Sequence, residues 1–469
     1  MVAGLFVFQP TRGDDTPPTP MLSDQLSPPV RLMADGVAID TGGSWGHSSP
    51  CVLDLNRDGR FDLLVGDFSG KLSVYDNVGS SEAPKWVQRM KTVKENPQGS
   101  VFKQLKSVVF GDVEKRVPQY VQAGGVDAEV RIYCCIGGQS RLADINADGN
   151  VDLIMNSYDP GHCYFFLGTD GEQFAARQEL TDREGVPVRS SPMQTESVQS
   201  FGSFFTPVDW DADGDFDLLI GTFGGQLKLR MNEGTAQRHE FATENLDVNT
   251  NDGQPVKVEG HLCPTVADWD GDELWDLIVG SEYGGVYWFR NVGDKTKPVF
   301  TTAELLVPKA SHNGYDLLYT KDSDIAPGIR SQVEVVDYNA DGKLDLLVGD
   351  FYTAIDPRPD LTTKEIAELE SLNKQLFDNT TAWNAPIEAL RKDFNDRYSA
   401  EDISSDAVNE EFQTKYTAIQ QSDEVVGFEK KSQNLVKQMR PYLASVHGEG
   451  PEAYNMSLPH GFVWLYLKK

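Results

Sequence analysis

The stretch DWDADGDFDLLIG, residues 209–221, decides how this chain is read. Acidic side chains stand at positions 1, 3, 5, 7 and 9 of a turn, a glycine stands at position 6, and an apolar strand follows at once. The pattern returns as DLNRDGRFD at 54–62, DINADGNVD at 144–152, DWDGDELWD at 268–276 and DYNADGKLD at 337–345. Each copy runs into an apolar tetrad: LLVG, LIMN, LLIG, LIVG and LLVG. Alternating oxygens on a tight turn suit a hard cation that takes six to eight oxygen ligands. The expected cofactor is therefore Ca2+, up to five ions, in a structural role. Side-chain ligands are expected at positions 1, 3, 5 and 9, and a backbone carbonyl at position 7, which tolerates residues that cannot ligate through their side chains. The candidate sets are Asp54, Asn56, Asp58, Arg60 and Asp62; Asp144, Asn146, Asp148, Asn150 and Asp152; Asp209, Asp211, Asp213, Asp215 and Asp217; Asp268, Asp270, Asp272, Leu274 and Asp276; and Asp337, Asn339, Asp341, Lys343 and Asp345. The fourth copy departs from the rest, with Gly271 at position 4 and Glu273 at position 6.

An EF-hand would need a bidentate Glu at position 12 between helices. Position 12 here is Val65, Met155, Ile220, Val279 or Val348, all apolar and all in strand-like runs, so EF-hands are excluded. Magnesium fits less well, because it keeps several waters and resists an all-protein cage.

The turns begin at residues 54, 144, 209, 268 and 337, the spacing of a repeat array. Within each period an extended run enters the turn and a DLLVG-type strand leaves it. A Gly-rich turn, an alternating strand (KLSVYDN, CYFFLG, QLKLRMN, VYWFRN), often an Asn-x-Gly turn, and a fourth run follow. Four short strands per period describe a propeller blade. The expected fold class is all-β: a β-propeller of five four-stranded blades, with six or seven as the alternative. The last repeat ends with FVWLYLKK and lacks a fourth strand, whereas PPVRLMADGVAID at 28–40 is a spare one. The ring is expected to close through this N-terminal strand. Residues 1–27 are expected to be a disordered N-terminal segment, 28–358 the propeller, 359–447 a helical insertion in the last blade and 448–469 the final propeller strand region.

The pattern D-x-[DN]-x-D-G-x-x-D-L-hydrophobic-hydrophobic-G, followed by N-x-G, resembles the FG-GAP/VCBS repeat, also found in integrin α-subunit propellers. The resemblance covers roughly residues 28–358 and 458–469. It implies that each calcium loop joins the innermost strand of a blade to the second, on one rim. It also implies adhesion or ligand recognition.

The insertion is read from a change of composition after residue 358. Thr362-Thr363-Lys364-Glu365 is a capping box ahead of Ile366, Leu369 and Leu372. A second helix is expected over Pro386–Tyr398, and further helices over 406–421 and 424–445.

The formal net charge is −30. That excess argues against nucleic acid, which needs basic surface, and against anionic lipid. The five cysteines are sparse and lack zinc spacing, so they are read as buried free thiols rather than a disulfide framework. No stretch is long enough to span a bilayer. The start, MVAGLFVFQP, is apolar but lacks a basic leader region and a clear cleavage site. The calcium loops favour an extracellular, periplasmic or cell-surface location, because modest-affinity sites fill at millimolar calcium. The tripeptide Arg12-Gly13-Asp14 reads as coincidence.

Seven residues before each turn stand His47, Gly137, Gly202, His261 and Arg330. His47, His261 and Arg330 are thus candidate ligand-binding residues at the strand ends opposite the acidic turns. No nucleophile elbow, HExxH, P-loop or dinucleotide fingerprint is present. The leading expectation is a calcium-binding recognition or adhesion module for a protein or glycan ligand. The alternatives are a polysaccharide lyase or hydrolase working in the propeller funnel, and a scaffold that docks a partner through its helices. The oligomeric state is open.

Overall fold

The computed structural model describes residues 21–42, 46–54, 58–68, 72–89, 140–156, 161–169, 173–176, 178–190, 203–398, 406–444 and 457–469. Residues 1–20 with the Arg12–Asp14 tripeptide, Asn56, Cys134, Cys135, Gly137, Gly202 and 445–456 lie outside them.

The fold is mostly β, in several sheets of four to six strands. Five sheets carry the acidic turns, and each turn joins the first strand to the second. In sheet I, Ser49–Leu53 pairs with Asp62–Gly66, then Leu72–Asn77, then Trp86–Gln88. Sheet II runs Ser140–Ala143, Asp152–Asn156, Cys163–Phe166, Gln178–Glu179. Sheet III runs Phe204–Val208, Asp217–Gly221, Leu227–Arg230, Leu246–Asp247. Sheet IV runs Leu262–Ala267, Asp276–Ser281, Val286–Phe289, Glu304–Val307. In sheet V, Ile329–Val336 pairs with Asp345–Ile355, which pairs with Val463–Tyr466. All these neighbouring strands are antiparallel.

The first strand of each sheet lies beside two others: I beside II, II beside III, III beside IV, IV beside V, and V beside I. The glycine four residues after the position-9 aspartate, in the second strand, permits this approach. A Cβ on Gly221, Gly280 or Gly349 would overlap the carbonyl oxygen of Leu262, Ser331 or Ser48 on the next sheet. Repeat two has Asn156 instead, and its Nδ2 donates to Ser203 O at 2.5 Å. Apolar second and third strands fill the space between sheets. One cluster joins Leu219, Leu229, Leu277, Val279 and Phe289, all under 5% exposed.

The N-terminal segment is shared between two sheets. Val30–Arg31 pairs with Val463–Tyr466, as Val30↔Leu465 and Arg31↔Trp464. Met33–Ala34 and Val37–Ala38 instead form a hairpin on the edge of sheet I, through Ala34↔Trp86. The boundary at residue 27 needs correction. Leu26 is fully buried and bridged to Lys468, and Ser23 N donates to Leu306 O. Burial of one leucine and these backbone bonds order the chain from residue 21.

A second compact unit comprises Gly314–Ala326 and Tyr352–Pro459. Its long helix is Thr363–Arg397, started by the expected capping box: Glu365 N donates to Thr362 Oγ1 and Thr362 N to Glu365 Oε2. Helices Asp406–Gln420 and Asp423–Met439 follow. The helix expected to begin at Pro386 does not stand apart; Pro386 lies inside the first one. Leu369 and Leu372 of the long helix, Leu435, Val436 and Met439 of the third, and Ile355 form the core. Strand Leu317–Leu318 pairs in parallel with Ala354 and Ile355, a contribution from 314–326 that the insertion's expected boundaries omit.

Candidate functional site

The acidic turns share one local construction. The position-1 carboxylate accepts backbone N–H bonds from positions 5 and 6: Asp54 from Asp58 and Gly59, Asp144 from Asp148 and Gly149, Asp337 from Asp341 and Gly342. The position-5 carboxylate accepts from position 7, as Asp213 does from Asp215 N and Asp272 from Leu274 N. Positions 4 and 6 are left-handed throughout the copies described there. Ala212 and Gly214 have φ of 59° and 93°, and in the fourth turn Gly271 and Glu273 have 78° and 71°. The exchange of glycine between positions 4 and 6 therefore leaves the turn's shape intact. Its cost falls on Glu273, a side chain in a region that favours glycine.

The position-9 aspartate faces inward. Asp217 is 1% exposed and accepts from Asn232 N through Oδ1 and from Trp210 N through Oδ2. Asp152, Asp276 and Asp345 repeat both bonds. Burial pushes the carboxyl of Asp62 up to about 6, of Asp217 to about 7 and of Asp276 to about 6. This aspartate thus ties the turn to the end of the third strand. There Asn77, Asn232 and Asn291 accept from the glycine two residues on, which accounts for the Asn-x-Gly signature.

Two turns bring three carboxylates within 4.8 Å of one another: Asp209, Asp211 and Asp213, and Asp268, Asp270 and Asp272. In the third turn, Asp209 Oδ1 and Asp215 Oδ1 are buried without a hydrogen-bond partner. Burial, then Asp213, raises the Asp215 carboxyl. Buried unpartnered carboxylate oxygens are costly, and an oxygen-loving divalent cation would satisfy them. The residues of the third turn therefore fit calcium.

At the other ends of the first strands, the structure brings together the three predicted residues His47, His261 and Arg330. It adds a fourth, Glu282. Arg330 Nη1 lies 2.9 Å from His47 Nε2, and its Nε lies 3.0 Å from Glu282 Oε1. Glu282 Oε2 is 2.6 Å from His261 Nδ1. His47 stacks between Phe68 and Phe351, at centroid distances of 4.6 and 4.1 Å. His47 and Arg330 both have φ of 60°. Burial alone would raise the Glu282 carboxyl, but His261 and Arg330 outweigh it and hold it far below the usual carboxylate range. Burial, then Arg330, keeps His47 neutral well below its ordinary value. His261 Nε2 is buried and unpartnered. The arrangement is an oriented imidazole beside a fixed ion pair. Glu282 was detectable only by register: Gly66-Asp67-Phe68, Gly221-Thr222-Phe223 and Gly349-Asp350-Phe351 align with Gly280-Ser281-Glu282. Repeat four has a carboxylate where three others have phenylalanine.

Residues 268–348, from the fourth turn through the second strand of sheet V, match the family model of the FG-GAP-like repeat. The chain carries an FG-GAP-like repeat. The matched FG-GAP-like segment includes the two final acidic turns and Arg330, Glu282 and the strands that place them. A search of curated proteins finds no match. No helix among the described residues is long and apolar enough to cross a membrane. Cys51, Cys163 and Cys263 are buried, and Cys263 Sγ lies 3.1 Å from Gln332 Oε1.

Proposed function

We propose that the chain is a calcium-braced, five-bladed β-propeller that works as a recognition module for a protein or glycan outside the cytoplasm. The FG-GAP-like repeat supports an integrin-like propeller type. The five first strands, each flanked by two others, and the pairing of Val30–Arg31 with the last sheet support closure by the N-terminal strand. One observation carries the calcium reading: three carboxylates of the third turn converge, and Asp209 Oδ1 among them is buried without a partner. The cluster of His47, His261, Glu282 and Arg330, away from the turns, is the place where the ligand is read.

An ion that binds the folded turn and not the unfolded chain stabilises by mass action, about 2.7 kcal/mol per site at a hundredfold excess over Kd. The melting temperature is expected to rise by several degrees or more when chelated protein receives millimolar calcium, and a scan without any shift overturns the reading. On a glycan array, binding that survives in Glu282→Gln would move the ligand away from the cluster.

A further inference from the structure

The third and fourth turns have five acids each and the same backbone, but they are not electrostatically alike. The third turn's acids are Asp209, Asp211, Asp213, Asp215 and Asp217. Among the described residues no basic side chain forms a salt bridge with any of them. The fourth turn's acids are Asp268, Asp270, Asp272, Glu273 and Asp276, and one basic side chain bridges two of them. Arg290 Nε lies 2.5 Å from Asp270 Oδ2, and its Nη2 lies 3.2 Å from Asp272 Oδ2. The guanidinium therefore bridges positions 3 and 5, two of the three carboxylates that converge in this turn. Lys468 Nζ sits 4.2 Å from the Trp269 ring centroid and donates to Trp269 O. The repeat supplies its own control. Arg290 immediately precedes Asn291, whose N–H meets the position-9 aspartate. The residues at that register elsewhere are Asp76, Leu167, Met231 and Leu467, none of them basic. Arg60 in the first turn meets Asp58 and donates through Nε to Asn77 O, so among the described residues it pairs with a single carboxylate.

We infer that Arg290 is a built-in counter-ion of the fourth turn, holding it in shape without a metal and weakening calcium binding there relative to the third. This rests on the calcium reading above. A planar guanidinium matches two carboxylates side by side, but a calcium ion needs the same oxygens and more around it, so the two exclude each other. Arg290 is half exposed, so it can swing out. The fourth turn thus fills last as calcium rises.

Arg290→Met places at this position the residue that the third repeat already uses. Bound calcium is counted by equilibrium dialysis at fixed millimolar calcium, with Asp211→Asn as the control that should lose one ion. Arg290→Met is expected to hold one ion more than the unsubstituted protein, and equal non-zero counts overturn the inference. Melting in chelator separates it from the wider reading. There Arg290→Met is expected to melt several degrees lower, its acids having lost their only bridging cation. If neither protein binds calcium, the calcium reading falls, and the counter-ion role is decided by this melting alone: equal midpoints in chelator overturn it.

Discussion

One buried guanidinium and one half-buried carboxylate tie together all five first strands. Arg141 of sheet II donates through Nη2 to Pro264 O at 2.9 Å and to Val333 O at 3.1 Å, on sheets IV and V. Its Nε reaches Thr206 on sheet III at 3.5 Å, and its Nη1 lies 3.4 Å from Glu334 Oε2. Glu334 Oε1 accepts from Val52 N on sheet I at 3.3 Å. Removing one partner of a buried pair leaves the other uncompensated, which typically costs about 3–5 kcal/mol. Arg141→Met and Glu334→Leu should each lose that much in urea unfolding. The double variant should lose clearly less than their sum, since residues in one network do not add. Strictly additive losses of under about 1 kcal/mol each would sink the idea of a shared central tie. Nothing in SRLADIN announces this role for Arg141. Its partners come from three other sheets, and residue spacing carries no record of distances between sheets. The acidic turns were legible for the opposite reason, because the bonds within each turn run between residues two to seven apart.

At the scale of elements, local chemistry again separates what could be read from what could not. The Asn-x-Gly turns and Gly221, Gly280 and Gly349 of the second strands have direct causes: a side-chain amide capping the next turn, and a carbonyl of the next sheet pressing where a Cβ would stand. The helical unit was legible in its capping box and its two later helices. Its first helix was expected to break near Pro386, because proline removes an N–H and crowds the carbonyl four residues back, here that of Ala382. The helix continues because packing on both sides holds it: Leu369 and Leu372 before the proline, Leu390 and Phe394 after it, all buried. Asn379 adds bonds of 2.8 Å to Phe428 O and Ser432 Oγ on the third helix. An interior proline costs a helix about 3 kcal/mol, offset by up to about 1 kcal/mol through its stiffening of the unfolded chain. Pro386→Ala should therefore stabilise the helical unit by roughly 2 kcal/mol. Far-UV circular dichroism against temperature checks this, and an unchanged or lower helical midpoint would show that the proline is not strained there.

Across the whole molecule the governing quantity is a formal charge of −30, together with where its aspartates sit. Burial raises Asp62 and Asp276 to about 6 and Asp217 and Asp350 to about 7, and raises Asp152 and Asp345 as well. The same groups in the unfolded chain ionise near pH 4. A carboxyl whose folded pKa is raised adds stability that is fully present below its unfolded value and is lost as pH climbs through the folded one. For Asp62, Asp276, Asp217 and Asp350 the loss falls between about pH 4 and 7, and Asp152 and Asp345 act in the same direction. His47 and His239 have lowered values and work the other way, losing stability as pH falls through the unfolded imidazole range. Two histidines do not offset six aspartates, and growing net negative charge adds self-repulsion in the same direction as the aspartates. In chelator, the melting temperature should therefore be higher at pH 5 than at pH 8. Calcium needs deprotonated ligands, so its stabilising effect should be larger at pH 8 than at pH 5 and should narrow or reverse the difference. A melting temperature that rises steadily from pH 5 to pH 8 in chelator would mean that these aspartates are already ionised in the fold, held by their backbone N–H donors against the cost of burial.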